Sequence, residues 1–269
     1  MATPSAHGAP TTTGLVVRQA DHWWARWRRT WRGSAITNFV LPVLYLLAMG
    51  VGLGAYIDDG GATSSLGTAD YLDFIAPGLL ATSVMQNAVG ASTWPVMGAI
   101  KWDRTYHAMV ATPLRVRDIL LGNLALVAAR LTLTAAVFFV VMVLFGVVVL
   151  PWALLAIPAA VVVGLAHATP LFAFSAWLQR ETGFMLFYRL GVVPMFLFSG
   201  AFFPISQLPD PLEWIAQVMP LYHGVELVRD LSLGTPSLLA DGGHLAYLVA
   251  WCAVGFVLAD RALTRRLRG

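Results

Sequence analysis

The feature that most constrains this chain is the length of its uncharged apolar runs. They cover 33–57, 74–100, 119–179 (broken only by Arg130), 183–203 (with Arg189 inside) and 242–259. A helix needs about 20 apolar residues to cross the hydrocarbon of a bilayer. Backbone amides and carbonyls in lipid must be hydrogen-bonded within the segment, which selects helices. The run 119–179 is too long for one crossing and divides at Gly146-Val-Val-Val-Leu-Pro151. The expected fold is therefore all-α, one polytopic domain over 33–263, with six spans over about 34–57, 72–99, 117–147, 151–178, 183–203 and 242–261. A β-barrel would alternate polar and apolar residues in short strands, and these runs do neither. Composition agrees: 58% of the 269 residues are hydrophobic and 12% charged, about half the charged share of a soluble domain.

Arginine and lysine set the orientation. Arg18, Arg26, Arg28, Arg29 and Arg32 precede the first span. Lys101, Arg104, Arg115 and Arg117 lie between spans two and three, and Arg180 follows span four. Arg261, Arg265, Arg266 and Arg268 close the chain, the last three in a basic tail over 264–269. The opposite side is acidic, with Asp58, Asp59, Asp70 and Asp73 after span one. The stretch 204–242 sets Asp210, Glu213, Glu226, Asp230 and Asp241 against Arg229 alone. Both termini are thus expected in the cytoplasm, in a bacterial-type inner membrane. The net charge of +3 serves topology and membrane lipids, and no nucleic-acid partner is needed to explain it.

Residues 1–13 are too polar for the apolar core of a signal peptide and are expected to be disordered. Over 14–32 the pattern becomes helical. Val16, Val17, Ala20, Trp23, Trp24, Trp27 and Trp31 share an arc of about 120°, with Arg18, Asp21, His22, Arg26, Arg28, Arg29 and Arg32 on the rest. Such a helix lies in the membrane interface, tryptophans at headgroup depth and arginines toward phosphates. It is a membrane anchor, or in addition a docking surface for a cytoplasmic partner.

Enzyme signatures are missing from the sequence. Lys101, in Ile-Lys-Trp-Asp, is the only lysine, so no phosphate-cradling P-loop exists. Gly50-Val-Gly52-Leu-Gly54 follows no strand and reads as helix packing through small residues. The six histidines show no metal-binding spacing, and the single Cys252, in an apolar run, excludes a disulfide framework and a cysteine zinc site. No catalytic residue, metal or cofactor is expected on this chain. Arg130 and Arg189 are intramembrane cations, which are costly and either snorkel, pair structurally or line a polar transport path.

Two polar stretches carry more information. In the loop Lys101–Asp118, the first half can form a short helix that Thr112-Pro113 should end, with a new helix resuming near Val116. A short helix between two spans makes a rigid knob for a cytoplasmic motor to push. In the stretch 199–234, Pro211 and Pro220 suit the first turns of two short helices and Gly234 suits a C-terminal stop. Their apolar faces (Leu212, Ile215, Ala216, Met219, then Leu221, Val225, Val228, Leu231) suggest a hairpin dipping back into the outer leaflet. Glu226, Arg229 and Asp230 allow one local ion pair, expected to be exposed and worth about 0.2–1 kcal/mol.

The segment Pro194-Met-Phe-Leu-Phe-Ser-Gly-Ala-Phe-Phe-Pro-Ile-Ser-Gln-Leu-Pro209 and the segment Met219-Pro-Leu-Tyr-His-Gly-Val-Glu-Leu-Val-Arg-Asp-Leu-Ser-Leu-Gly234 resemble the carboxy-terminal signature of type-2 ATP-binding-cassette export permeases. In pattern the nearest are the nodulation-factor and daunorubicin-resistance exporters. Val110-Ala-Thr-Pro-Leu114, leading into Ile119-Leu-Leu-Gly-Asn123, is similar to the family's segment after span two.

The resemblance implies two permeases, identical or related, working with two copies of a separately encoded ATPase that binds the ATP and magnesium. It implies an interface helix carrying Trp23, Trp24, Arg26, Trp27, Arg28 and Trp31. It implies a coupling helix around 103–112, with Asp103, Arg104, Thr105, Tyr106, His107, Thr112 and Pro113 contacting the ATPase. It implies an outer re-entrant gate with Ser199, Gly200, Phe203, Pro204, Pro220, His223, Glu226 and Arg229. One departure is local: Arg104-Thr-Tyr-His-Ala is more basic than the family's usual loop, which often carries Glu and Gly-Thr. The function expected is export of an amphipathic or lipid-linked substrate (drug, glycolipid, polysaccharide or lipid). The alternatives are an ion-gradient-driven transporter, for which a relay of intramembrane carboxylates and histidines is missing, and a lipid-modifying enzyme, for which a convergent polar cluster is missing.

Overall fold

The computed structural model describes residues 40, 43–54 and 70–268. The expected disordered segment 1–13, the interface helix with Trp23, Trp24, Arg26, Trp27, Arg28 and Trp31, and both ends of the first span lie outside them. The described part of the first run is helical and includes a π-helical stretch, Leu46–Leu53. Beyond it come α1 (Tyr71–Ser92), α2 (Trp94–Lys101), α3 (Thr105–Val110), α4 (Val116–Leu144), α5 (Ala156–Trp177), α6 (Thr182–Leu197), α7 (Asp210–Val218), α8 (Pro220–Leu233) and α9 (Leu238–Arg268). No strand occurs among the described residues.

Three helical stretches are long and apolar enough to cross a membrane: Val116–Leu144, Trp152–Trp177 and Leu238–Arg268. α1, at 22 residues, is about 33 Å long and runs on through a break into α2. At Thr93 the backbone leaves helical geometry (ψ −95°) just ahead of Trp94-Pro95, where proline removes an amide donor. The buried Ser92 carbonyl at this break accepts from the Ser175 hydroxyl of α5 at 2.7 Å.

α5 sits at the centre, touching α1, α4, α8 and α9. Its buried surface is mostly small (Ala156, Ala159, Ala160, Gly164, Ala166, Ala168, Ala176), which lets helix backbones approach closely. Gly164 shows the constraint: a Cβ there would stand 2.5 Å from Leu131 of α4 and 2.8 Å from Val84 of α1. A side chain there would force Leu131 and Val84 to shift.

Successive long helices run in alternating directions, so the bundle has two ends. The loop end carries 101–115 and the hairpin end carries 198–237. Two boundaries differ from the sequence expectation. The fifth run stops being helical at Leu197 instead of continuing to 203, because Gly200 takes a left-handed conformation (φ 80°) and the segment bends back onto α1. There Gly78 lies against Ala201, whose backbone would meet a Cβ at 2.8 Å. α6 itself carries a π-helical turn, Tyr188–Val192, just before Pro194, a usual accommodation of local strain. At the other boundary the basic residues up to Arg268 are helical. α9 continues to Arg268, held down by Leu263, which is fully buried.

Candidate functional site

The knob at the loop end is built from its anchors outward. Tyr106 is 2% exposed and pins α3 to the bundle, where α3 touches α2, α4 and α9. Burial pushes its phenol well above the ordinary value, so the hydroxyl stays protonated. Asp103, Arg104 and His107 are exposed, and Thr105 is half-buried. Arg104 turns the chain into α3 with φ 49°, the one positive φ outside glycine among the described residues, a costly conformation for a side chain with a Cβ. Thr112 closes the helix, its hydroxyl donating to the Met109 carbonyl at 2.6 Å. Pro113 follows, and α4 starts at Val116 with the Asp118 carboxylate accepting the Arg115 amide at 3.0 Å.

The knob is tied sideways to the start of α6. Lys101 donates to Glu181 at 3.1 Å. Beneath that pair an aromatic chain runs from Trp102 over Trp94 (6.4 Å, stacked) to Phe184 (5.3 Å), and on to Phe174 and Phe187. A displacement of 101–115 would therefore be passed to α5 and α6 through packed rings rather than through a flexible loop.

At the hairpin end Arg229 is the organising residue, and its setting corrects the expected exposed ion pair. Arg229 is 7% exposed. Its Nη1 donates to Glu226 at 2.6 Å, its Nη2 to the Gly200 carbonyl at 2.7 Å and its Nε to the Phe74 carbonyl at 3.3 Å. The guanidinium also lies over the Phe74 ring, 4.0 Å from the centroid. One planar fork thus joins α8, the bend after α6 and α1, a geometry lysine cannot match. Nearby, Tyr71 donates to the Phe202 carbonyl at 3.1 Å, and Ser199 is buried, donating to Phe196. Phe203 and Pro204 are half-buried in the bend, and Pro220 is buried in the first turn of α8.

The two hairpin helices differ. The α8 face Leu221, Val225, Val228 and Leu231 is buried as expected. On α7 only Ala216 is buried, whereas Leu212, Ile215 and Trp214 remain exposed, so α7 lies on the surface of this protomer. Between the hairpin, α1 and the loop after α4 lies a cavity of about 780 Å³ bearing Asp73, Glu213, Glu226, Asp230 and Tyr222 around Arg229.

Burial, then the charge of Asp241, pushes the Asp230 carboxyl up to about 6. An acid raised in the folded state favours folding while protonated. Its contribution is fully present below the ordinary value of 3.8 and is lost as pH rises through about 6. Thermal melts of the detergent-solubilised protein between pH 4 and 7 should therefore fall with pH. Asp230→Asn should flatten that slope, and an unchanged slope would refute the assignment.

Several contacts had no signal in the sequence. His223 and His244, 21 residues apart, meet Nδ1 to Nδ1 at 2.7 Å and join α8 to α9. Burial and His244 hold the His223 imidazole below its ordinary value. Tyr247 packs on His223 and donates to the Val218 carbonyl. In mid-bundle, Arg130 lines a groove of about 330 Å³ between α1 and α4 with Gln86 and Asn87. Arg189 is exposed on the π-turn of α6.

Fold and sites together define a multi-pass helical membrane protein with a rigid knob at one end and an arginine-locked hairpin at the other. The sequence profile of the ABC-2 type transporter family matches residues 21–233. Nodulation protein J of Rhizobium leguminosarum bv. trifolii is 32% identical over 253 residues, 91% of this chain and 94% of that protein. Nodulation protein J of Rhizobium meliloti (strain 1021) is 30% identical over the same shares. Its counterpart in Sinorhizobium fredii is 32% identical over 256 residues, again 91% and 94%. The chain belongs to the ABC-2 type transporter family, and within it acts as the membrane permease subunit of an exporter.

Proposed function

We propose that this permease moves an amphipathic or lipid-linked substrate out of the cytoplasm, driven by a separately encoded ATPase. In this reading the chain has six spans with both termini in the cytoplasm of an inner membrane. The loop end then faces the cytoplasm. α3 is the coupling helix, with Asp103, Arg104, Thr105, His107, Thr112 and Pro113 as its contact surface. Two ATPase copies, holding ATP and magnesium, press on two permeases, and the aromatic chain from Trp102 to Phe187 carries the displacement into α5 and α6. The hairpin Asp210–Leu233 closes the outer mouth, locked by Arg229.

The observation that carries this reading is the Tyr106-anchored helix, which presents Asp103, Arg104 and His107 as an exposed surface that suits a motor's groove. The groove of Gln86, Asn87 and Arg130 supports a polar path beside α1 and α4, because polar groups at mid-span are costly against lipid. Purification of the tagged chain from native membranes tests the proposal. An ABC ATPase should co-purify, and vanadate should stop efflux. Recovery without any ATPase, together with vanadate-insensitive efflux, would sink it.

A further inference from the structure

At the loop end, facing surfaces of α5 and α9 leave a groove of about 650 Å³. On α9 it is lined by Leu258, Arg261, Ala262, Arg265 and Arg266. Their spacing (i, i+3, i+4, i+7, i+8) is one face of a helix. Asp260, the carboxylate on this part of α9, is not on that face. On α5, Ala173 and Ala176 make the hollow, while Phe174 and the exposed Trp177 form its apolar wall. Arg261 and Arg265 are exposed and Arg266 half-buried, and none of the three has an ion-pair partner among the described residues.

We propose that this groove binds one anionic phospholipid, its phosphate among Arg261, Arg265 and Arg266 and an acyl chain along Phe174, Leu258 and the alanine floor. Three features select a lipid over a soluble anion. The arginines stand at the end of the apolar part of α9, where headgroups lie. Trp177 sits at the same level, the usual depth of an interfacial indole. The floor beneath the charges is apolar and would gain nothing from a free phosphate. Basic pockets between spanning helices are suited to this chemistry. The site shares Phe174 with the aromatic chain behind the knob, while its arginines belong to neither the knob, the hairpin nor the Arg130 groove.

The test uses the full chain in complex with its ATPase, in a neutral detergent, with melting temperature and lipid titration as readouts. Dioleoyl phosphatidylglycerol should raise the melting temperature, and phosphatidylcholine and inorganic phosphate should not. Each arginine near an anionic surface contributes about five-fold in affinity. The triple variant Arg261→Gln, Arg265→Gln, Arg266→Gln should therefore bind phosphatidylglycerol roughly a hundredfold more weakly. The corresponding triple lysine variant keeps the positive charge that sets topology and should retain most of the effect. Ala262→Phe fills the groove without changing charge and should also abolish the shift. Equal stabilisation by phosphatidylcholine or by phosphate alone would overturn the proposal. So would a shift that survives both the glutamine and the phenylalanine variants. Loss of the ATPase from the glutamine variant with its lipid response intact would assign the arginines to the motor subunit instead.

Discussion

Arg229→Met is expected to cost about 3–5 kcal/mol of stability, the range for removing one partner of a buried ion pair. Methionine keeps much of the stem volume, so the loss isolates the guanidinium. What it leaves behind is specific. Glu226 loses its counter-ion at 2.6 Å, and the carbonyls of Gly200 and Phe74 lose donors at 2.7 and 3.3 Å. The two carbonyls belong to the bend after α6 and to the first turn of α1, so the hairpin comes loose from both. Arg229→Lys should fall between the two proteins. One ammonium can reach Glu226 or a carbonyl but cannot lie flat on Phe74 while serving all three, and each charge-assisted bond lost costs about 1.5–3 kcal/mol. Thermal melts of the solubilised protein measure the stability, and proteolysis near 199–210 reports release of the bend. If Arg229→Met melts like the wild type and the bend stays protected, Arg229 does not hold the hairpin.

The sequence makes that hairpin visible but hides its lock. Pro211, Pro220 and Gly234 mark the ends of α7 and α8 because proline and glycine act locally, through a missing amide and a left-handed backbone. The break at Thr112-Pro113 and the restart at Val116 are legible for the same reason. Arg229 could be seen only as one charge among neighbours at i−3 and i+1. Its main partners, the Phe74 ring and the carbonyls of Phe74 and Gly200, are 155 and 29 residues away and carry no polar side-chain signature. Backbone carbonyls are present at every position, so no residue type announces that one will accept a buried guanidinium. The His223–His244 contact is hidden likewise, since it depends on how α8 lies against α9. Apolar runs reveal where helices are, because lipid imposes one rule along a whole segment. The end of α6 at Leu197 is obscured because the bend residues 198–203 are nearly as apolar as the helix before them, and only the pair Ser199-Gly200 interrupts them.

The second large effect concerns the knob. Tyr106→Ala should remove about 3–5 kcal/mol of packing, the usual cost of deleting a buried aromatic ring. A helix of only six residues cannot hold its shape without such an anchor, since short helices are marginal on their own. Arg104 adds to the dependence: its left-handed backbone is a strained entrance that persists only while the rest of the knob is fixed. The bundle below should remain, because α4 is capped independently by Asp118. The expected result is therefore selective. Tyr106→Ala should insert in the membrane yet lose co-purification of the ATPase, or retain it with hydrolysis no longer linked to efflux. Tyr106→Phe keeps the ring and loses only a neutral hydroxyl, so it should couple normally. His107→Ala, on the exposed side of the same helix, should weaken the ATPase contact with little change in melting temperature. If Tyr106→Ala and His107→Ala both leave ATPase binding and coupling intact, α3 is not the surface on which the motor acts, and the drive must enter the bundle elsewhere.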